Sequence, residues 1–156
     1  MEIMMKRLVT LIFFVFYLLF NPLLHAETLL TTLQGEKISF SSLQGKWVLI
    51  NYWASWCNPC LDEIAELNEF YDNNNEKVAL FAVNYEGQSV REQRYVAEKL
   101  ALRYPSLASD PAKELNLGGI RGVPATFVFN PQGQLSEVLY GPQTQKSLMR
   151  AVRQSA

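Results

Sequence analysis

Histidine occurs once in the 156 residues, at position 25, and cysteine only twice, at positions 57 and 60. Once residues 1–26 are set aside, for the reason given below, no imidazole remains for Cys–His or Ser–His catalysis. Two cysteines with no histidine also fall short of the four ligands of a closed zinc site. No metal and no cofactor is therefore expected. Charge of one sign is scarce as well: the formal net charge is −1 and no basic run stands out, so nucleic acid is not an expected partner. There is no low-complexity linker and no internal repeat, and 49% apolar with 19% charged residues is ordinary globular composition.

Long apolar runs are missing except for one. Lys6 and Arg7 precede the unbroken segment Leu8 to Phe20, which Asn21-Pro22 and Leu24-His25-Ala26 follow. This is the anatomy of a signal peptide, and the run is shorter than the ~20 residues of a membrane span. Residues 1–26 are expected to be a signal peptide cleaved after Ala26 or, with the apolar run extended through Leu23-Leu24, an N-terminal membrane anchor. Leu24 is an imperfect residue for the −3 position of a cleavage site. In either form residues 27–156 make one domain in a periplasmic or extracytoplasmic compartment, where disulfides persist. That part carries a formal charge of −2.

The pattern along the domain is α/β. Thr28–Thr32 and Lys37–Phe40 predict a hairpin around Gln34-Gly35. The run from Trp47 to Trp53 reads as a buried strand, Leu61, Ile64, Leu67 and Phe70 repeat at helical spacing over 58–72, and Lys77–Asn84 reads as a second buried strand. Together they form a βαβ unit with a parallel pair. An amphipathic helix is expected over 90–102, a short strand near 106–108, and a short helix from Asp110-Pro111 through Leu115. Thr126–Phe129, the turn Asn130-Pro131-Gln132-Gly133 and Leu135–Tyr140 predict an antiparallel hairpin, and 144–153 a last helix.

Both cysteines fall within Trp56-Cys57-Asn58-Pro59-Cys60, at the junction of the first buried strand and its helix. Cysteines at i and i+3 lie on one helical face, so their sulfurs reach disulfide spacing. Pro59 in the first turn needs no amide partner, and the free amides of that turn face the Cys57 sulfur. Those amides and the helix dipole favour thiolate, which places the Cys57 pKa below the ~8.5 of a free thiol. The junction is expected to present Cys57 to solvent as the nucleophile, with Cys60, one turn deeper, as the resolving thiol. A structural clip closing so small a loop gains little entropy. A different class stays open: a binding module or Cu(I) chaperone with the two soft thiolates as ligands. Val123-Pro124 before the strand would, if cis, put a backbone edge beside the cysteines, although an X-Pro bond in a loop is ordinarily trans.

The order strand, Trp-Cys-x-Pro-Cys, helix, strand, helix, Val-Pro, hairpin, helix resembles the thioredoxin fold over residues 35–153. The segments Asn51-Tyr52-Trp53-Ala54-Ser55-Trp56-Cys57 and Gly122-Val123-Pro124-Ala125-Thr126-Phe127, with the inserted region 85–116, resemble the exported TlpA/ResA-type thiol–disulfide oxidoreductases related to the AhpC/TSA and Redoxin proteins. The resemblance implies a thioredoxin-like central mixed sheet flanked by helices, with an N-terminal hairpin and a central inserted helical region. It implies a cis peptide at Val123-Pro124, and a substrate-binding rim of Trp56, Asn58, Pro59, Val123 and Pro124, with Trp56 lying over an apolar groove. Asn51 sits where thioredoxins carry a buried acid, so that device is absent from this position. Glu63 matches an acidic residue of ResA-like proteins and, one turn from Cys60, is set to accept that thiol's proton; the bland alternative is a solvated glutamate beside Asp62 and Glu66. Ala65 replaces a helix-kinking proline. The implied activity is reduction of oxidised exported proteins, apocytochrome c among them, with electrons from a membrane thiol donor of the DsbD/CcdA type.

Overall fold

The structure, a computed structural model, describes residues 27–153 together with Arg7; the expected signal or anchor segment otherwise lies outside the described residues. The chain opens with an antiparallel hairpin of β1 (Leu29–Thr31) and β2 (Lys37–Ser39), and Gly35 turns it at φ +86°. A 3-10 turn, Phe40–Leu43, leads to β3 (Trp47–Trp53). Helix α1 (Asn58–Asn74), β4 (Val78–Asn84), α2 (Val90–Lys99), β5 (Ser106–Leu107), β6 (Ala125–Phe129), β7 (Leu135–Tyr140) and α3 (Gln145–Ala151) follow.

The main sheet has the order β5-β4-β3-β6-β7. Strands β3, β4 and β5 run parallel, while β6 and β7 are antiparallel to their neighbours, so the sheet is mixed as the pattern predicts. Thr32 bridges Leu107, which ties the opening hairpin to the β5 edge. Because β3 is central and covered on both faces, six of its seven residues are buried, and it reads in the sequence as an apolar run broken only by Asn51. Leu49 and Trp53 point into a cluster with Leu67 and Phe70 of α1 and Leu148 of α3. Val48, Ile50 and Tyr52 point to the other face, among Leu30, Phe127, Phe129 and the loop residue Leu117. Full burial of a side chain such as Leu67 or Phe70, both 0% exposed, contributes about 1.5–3 kcal/mol.

Two expected helices are shorter than their sequence patterns. Helix α2 stops at Lys99, not at 102, because Ala101 takes φ +53° and the Ala101 and Leu102 amides donate back to Glu98 and Ala97. That closure comes before Tyr104-Pro105 can act as the stop. The expected helix over 110–115 is a single turn in which the Leu115 amide reaches the Pro111 carbonyl; Asn116 at φ +53° ends it at once. Helix α1 runs without interruption through Ala65. No helix among the described residues is long and apolar enough to cross a membrane.

Candidate active site

Strand β3 ends at Trp53, and a turn closed by the Cys57 amide on the Ala54 carbonyl (3.1 Å) delivers the chain to α1. Cys57 is the N-cap of that helix. Its Sγ accepts the Cys60 amide at 3.3 Å, which is the amide-to-sulfur contact expected of a thiolate-stabilising helix start. Cys57 and Cys60 are joined in a disulfide, with Cα atoms 5.2 Å apart. Cys60 is fully buried, whereas Cys57 keeps 5% of its surface. Cys57 is thus less open than the sequence suggested, a buried residue flanked by exposed Asn58 and Pro59. Tight packing of the turn against Trp53 and Ala54 accounts for this.

Trp56 also differs from expectation. It is 68% exposed in the 54–57 turn, too open to lie as a lid over a groove in this oxidised state. Trp53 takes the core place, 2% exposed. The Val123-Pro124 peptide is cis. Pro124 precedes Ala125, which pairs with Tyr52 across β6 and β3, and Val123 packs against the cluster that contains both cysteines. Sheet pairing thus sets the cis-proline edge beside the end of β3 from which the redox turn departs.

Glu63 is not a solvated residue. It is 2% exposed, on the same helical face as Cys60, Ile64, Leu67 and Phe70. Its Oε1 accepts the Asn51 side-chain amide at 2.8 Å and its Oε2 the Gln143 backbone amide at 2.7 Å. Burial pushes its pKa up to about 7, although both hydrogen bonds pull the other way by favouring the carboxylate. Asn51, fully buried, also donates to Thr126 Oγ1 at 3.1 Å, while its own Oδ1 has no partner among the described residues. Position 51 itself carries no acid, as the sequence shows. A buried carboxylate is present, supplied from α1 and held by Asn51. Tyr104, beside it in the core, has its phenol pKa raised by burial and by the Glu63 charge.

Three features of this site are absent from the sequence reading. Gln143 is brought to Glu63 across 80 residues of chain, and Glu66 similarly accepts the Gln145 amide at 2.8 Å. The turn before Cys57 is held by Glu86, which accepts the Ser55 amide (2.9 Å), the Ser55 hydroxyl (2.8 Å) and the Asn84 side-chain amide (2.9 Å). Burial acts to raise the Glu86 pKa, but these hydrogen bonds outweigh it and hold the carboxyl below its ordinary value. The Asn-x-Glu spacing after β4 and the serine before Trp-Cys were the only local signals available, and neither specifies its partner.

Chemically the arrangement offers a reducible sulfur pair at a helix start, a proton-accepting carboxylate below it and, above, the exposed Trp56, Asn58 and Pro59 with Val123 half-buried and Pro124 buried. Residues 25–138 match the AhpC/TSA family. The chain is 30% identical over 119 residues to the thiol-disulfide oxidoreductase ResA of Bacillus thuringiensis (strain Al Hakam), an alignment that covers 76% of this chain and 68% of that protein. It is 31% identical over 122 residues to the thioredoxin-like protein YneN of Bacillus subtilis (strain 168), covering 76% and 71%. Among solved structures, StoA from Bacillus subtilis superposes with a TM-score of 0.67 at 26% identity, over 83% of this chain and 98% of that one. With its disulfide-bonded Cys57-Asn58-Pro59-Cys60 and its thioredoxin-like sheet, the chain belongs to the AhpC/TSA family and, within it, to the ResA-like thiol–disulfide oxidoreductases.

Proposed function

We propose that the protein is a reductase of exported protein disulfides, with Cys57 as nucleophile, Cys60 as resolving thiol and Glu63 as the group that takes the Cys60 proton. The observation that carries this reading is the buried Glu63 carboxylate one helical turn beyond Cys60, held by Asn51 and Gln143 at a pKa near 7. A carboxyl poised there accepts and returns a proton at neutral pH.

In the forward direction both cysteines begin reduced. The Cys57 thiolate attacks one sulfur of a client disulfide; a Cys57–client mixed disulfide forms and the other client sulfur leaves as thiolate. Cys60 gives its proton to Glu63 and attacks Cys57 Sγ, which closes the Cys57–Cys60 disulfide and expels the second client sulfur. The client gains two electrons and its two thiolates take their protons from water; the enzyme loses two electrons, and the Cys60 proton rests on Glu63 until solvent takes it. Recharging reverses these bonds at the expense of a dithiol, for which a membrane thiol donor of the DsbD/CcdA type is the proposed source.

Asn58, Pro59, Val123 and Pro124 are the proposed rim for the client backbone, with Trp56 as its exposed apolar contact. Export of residues 27–156 behind the 1–26 segment, cleaved or retained as an anchor, fits a disulfide-bearing site and the extracytoplasmic setting proposed here. Apocytochrome c is the client class proposed from the ResA relationship. The test is insulin reduction by the purified protein with dithiothreitol: activity above background, lost in Cys57→Ser, is the expected result. No rate above background would favour the alternative of a binding or Cu(I)-carrying module.

A further inference from the structure

Glu86 grips the residue two before Cys57 with both carboxylate oxygens. Oε2 takes the Ser55 amide and Oε1 the Ser55 hydroxyl, and Asn84 supports the same carboxylate from β4 while its Oδ1 accepts the Glu86 amide at 2.8 Å. The Tyr85 amide meanwhile donates to the Trp53 carbonyl at 2.9 Å, so the two turns that follow β3 and β4 are laced together. Bidentate bonds from an ionised carboxylate are the strong kind. The grip is on the one turn that carries Trp56 and Cys57, and nothing in the reaction sequence above uses it.

Chain geometry limits how far this charge lies from the sulfur. Cα atoms two residues apart are separated by at most about 7.6 Å, so a carboxylate bonded to Ser55 at 2.9 Å lies within roughly 15 Å of the Cys57 sulfur, well inside the Debye length of about 30 Å at 0.01 M salt. At the α1 N-terminus the free amides favour the thiolate, and a fixed negative charge nearby opposes them.

We propose that Glu86 is a positioning residue of the redox turn: it fixes Ser55, and its fixed negative charge disfavours the Cys57 thiolate, which biases the pair toward giving electrons away. The direction follows from linkage, because stabilising the thiolate stabilises the reduced form and makes the disulfide a stronger oxidant, whereas opposing the thiolate makes the dithiol a stronger reductant. This rests on the reading of Cys57 as nucleophile and supplies what the Cys-x-x-Cys motif alone does not, a residue that sets direction. Glu63 is a separate influence, since it approaches from within α1 and makes no bond to the turn.

Alkylation of the reduced protein by iodoacetamide as a function of pH, with the label located at Cys57, tests it. Glu86→Gln should lower the Cys57 midpoint by about 0.3–0.5 at low salt, and the difference from wild type should vanish at 1 M salt. Equilibration with glutathione should shift about two- to threefold toward the dithiol form in the same variant. Ser55→Ala, which keeps the charge and loses one bond of the grip, should leave the midpoint unchanged. Glu86→Ala removes the charge without a mispaired amide and serves if Glu86→Gln does not fold. A Glu86→Gln midpoint equal to wild type, or a Ser55→Ala midpoint displaced as far, overturns the proposal. Alkylation reads the thiol and not turnover, so a failure to reduce insulin sinks the reductase reading and leaves this comparison intact.

Discussion

The side-chain amide of Asn51 donates to Glu63 Oε1 at 2.8 Å, in a place where Asn51 is 0% and Glu63 2% exposed. One residue comes from the central strand and the other from the helix that begins at the nucleophile. Their contact converts an amphipathic-helix glutamate into a buried acid whose protonation is linked to the state of the fold.

That linkage predicts a pH-dependent stability. The Glu63 pKa is raised from 4.5 to about 7 in the folded protein, so between these values the folded state holds a proton that the unfolded chain has released. The stabilisation is complete below about pH 4.5 and is lost as pH rises through 7. With a shift of this size the loss is roughly 3 kcal/mol. Glu63→Gln should flatten this part of the curve and be the more stable protein at pH 8. Urea unfolding of oxidised wild type and variant at pH 5 and pH 8 checks it; parallel pH dependence in the two would contradict it.

Asn51→Leu removes a donor that favours the ionised carboxyl, so the Glu63 midpoint should move above 7. The carboxyl carbon of Glu63, followed by NMR across pH 5–9, reports the midpoint directly. An unchanged or lowered value would mean that Asn51 does not tune this group.

Asn68 on α1 clamps the chain after α2, donating to the Ala101 carbonyl (2.9 Å) and accepting the Arg103 amide (2.7 Å) at 5% exposure. Asn68→Ala removes two part-buried hydrogen bonds and should cost about 1–3 kcal/mol. Ala101, held at φ +53°, is the converse case: Ala101→Gly relieves about 1–2 kcal/mol of left-handed strain against about 0.5–1 kcal/mol of added chain entropy, a small net gain. Thermal unfolding of both variants measures the pair of effects, and equal melting temperatures for the two would refute this account of the α2 closure.

Cys60→Ser should arrest the reaction at the mixed disulfide. A client protein held to Cys57, released by dithiothreitol and absent from Cys57→Ser, is the expected product on non-reducing gels. Finding no adduct would remove Cys60 from the resolving role.

Much of this architecture is legible in the sequence because it depends on local pattern. Strand β3 is a seven-residue run, apolar except for Asn51, with the bounds Trp47 and Trp53, and the α1 stripe Cys60, Ile64, Leu67, Phe70 follows the helical period. Glu63 was legible in part, since it sits three residues after Cys60 and four before Leu67 on that same stripe; its neighbours Asp62 and Glu66 masked the fact. What the sequence hides is contact between distant segments. Gln143 meets Glu63, and Glu86 meets Ser55, through sheet topology that brings strand ends together, and no spacing rule anticipates either. Local backbone closure hides as well: left-handed Ala101 and Asn116 cut short two helical patterns that composition alone would extend.

The most direct test of the central claim is limited alkylation of the reduced protein, with the label assigned by mass spectrometry and its rate followed against pH. The account predicts modification at Cys57 before Cys60, with a Cys57 midpoint below the ~8.5 of an unperturbed thiol. First labelling of Cys60, or a Cys57 midpoint at or above that value, contradicts it.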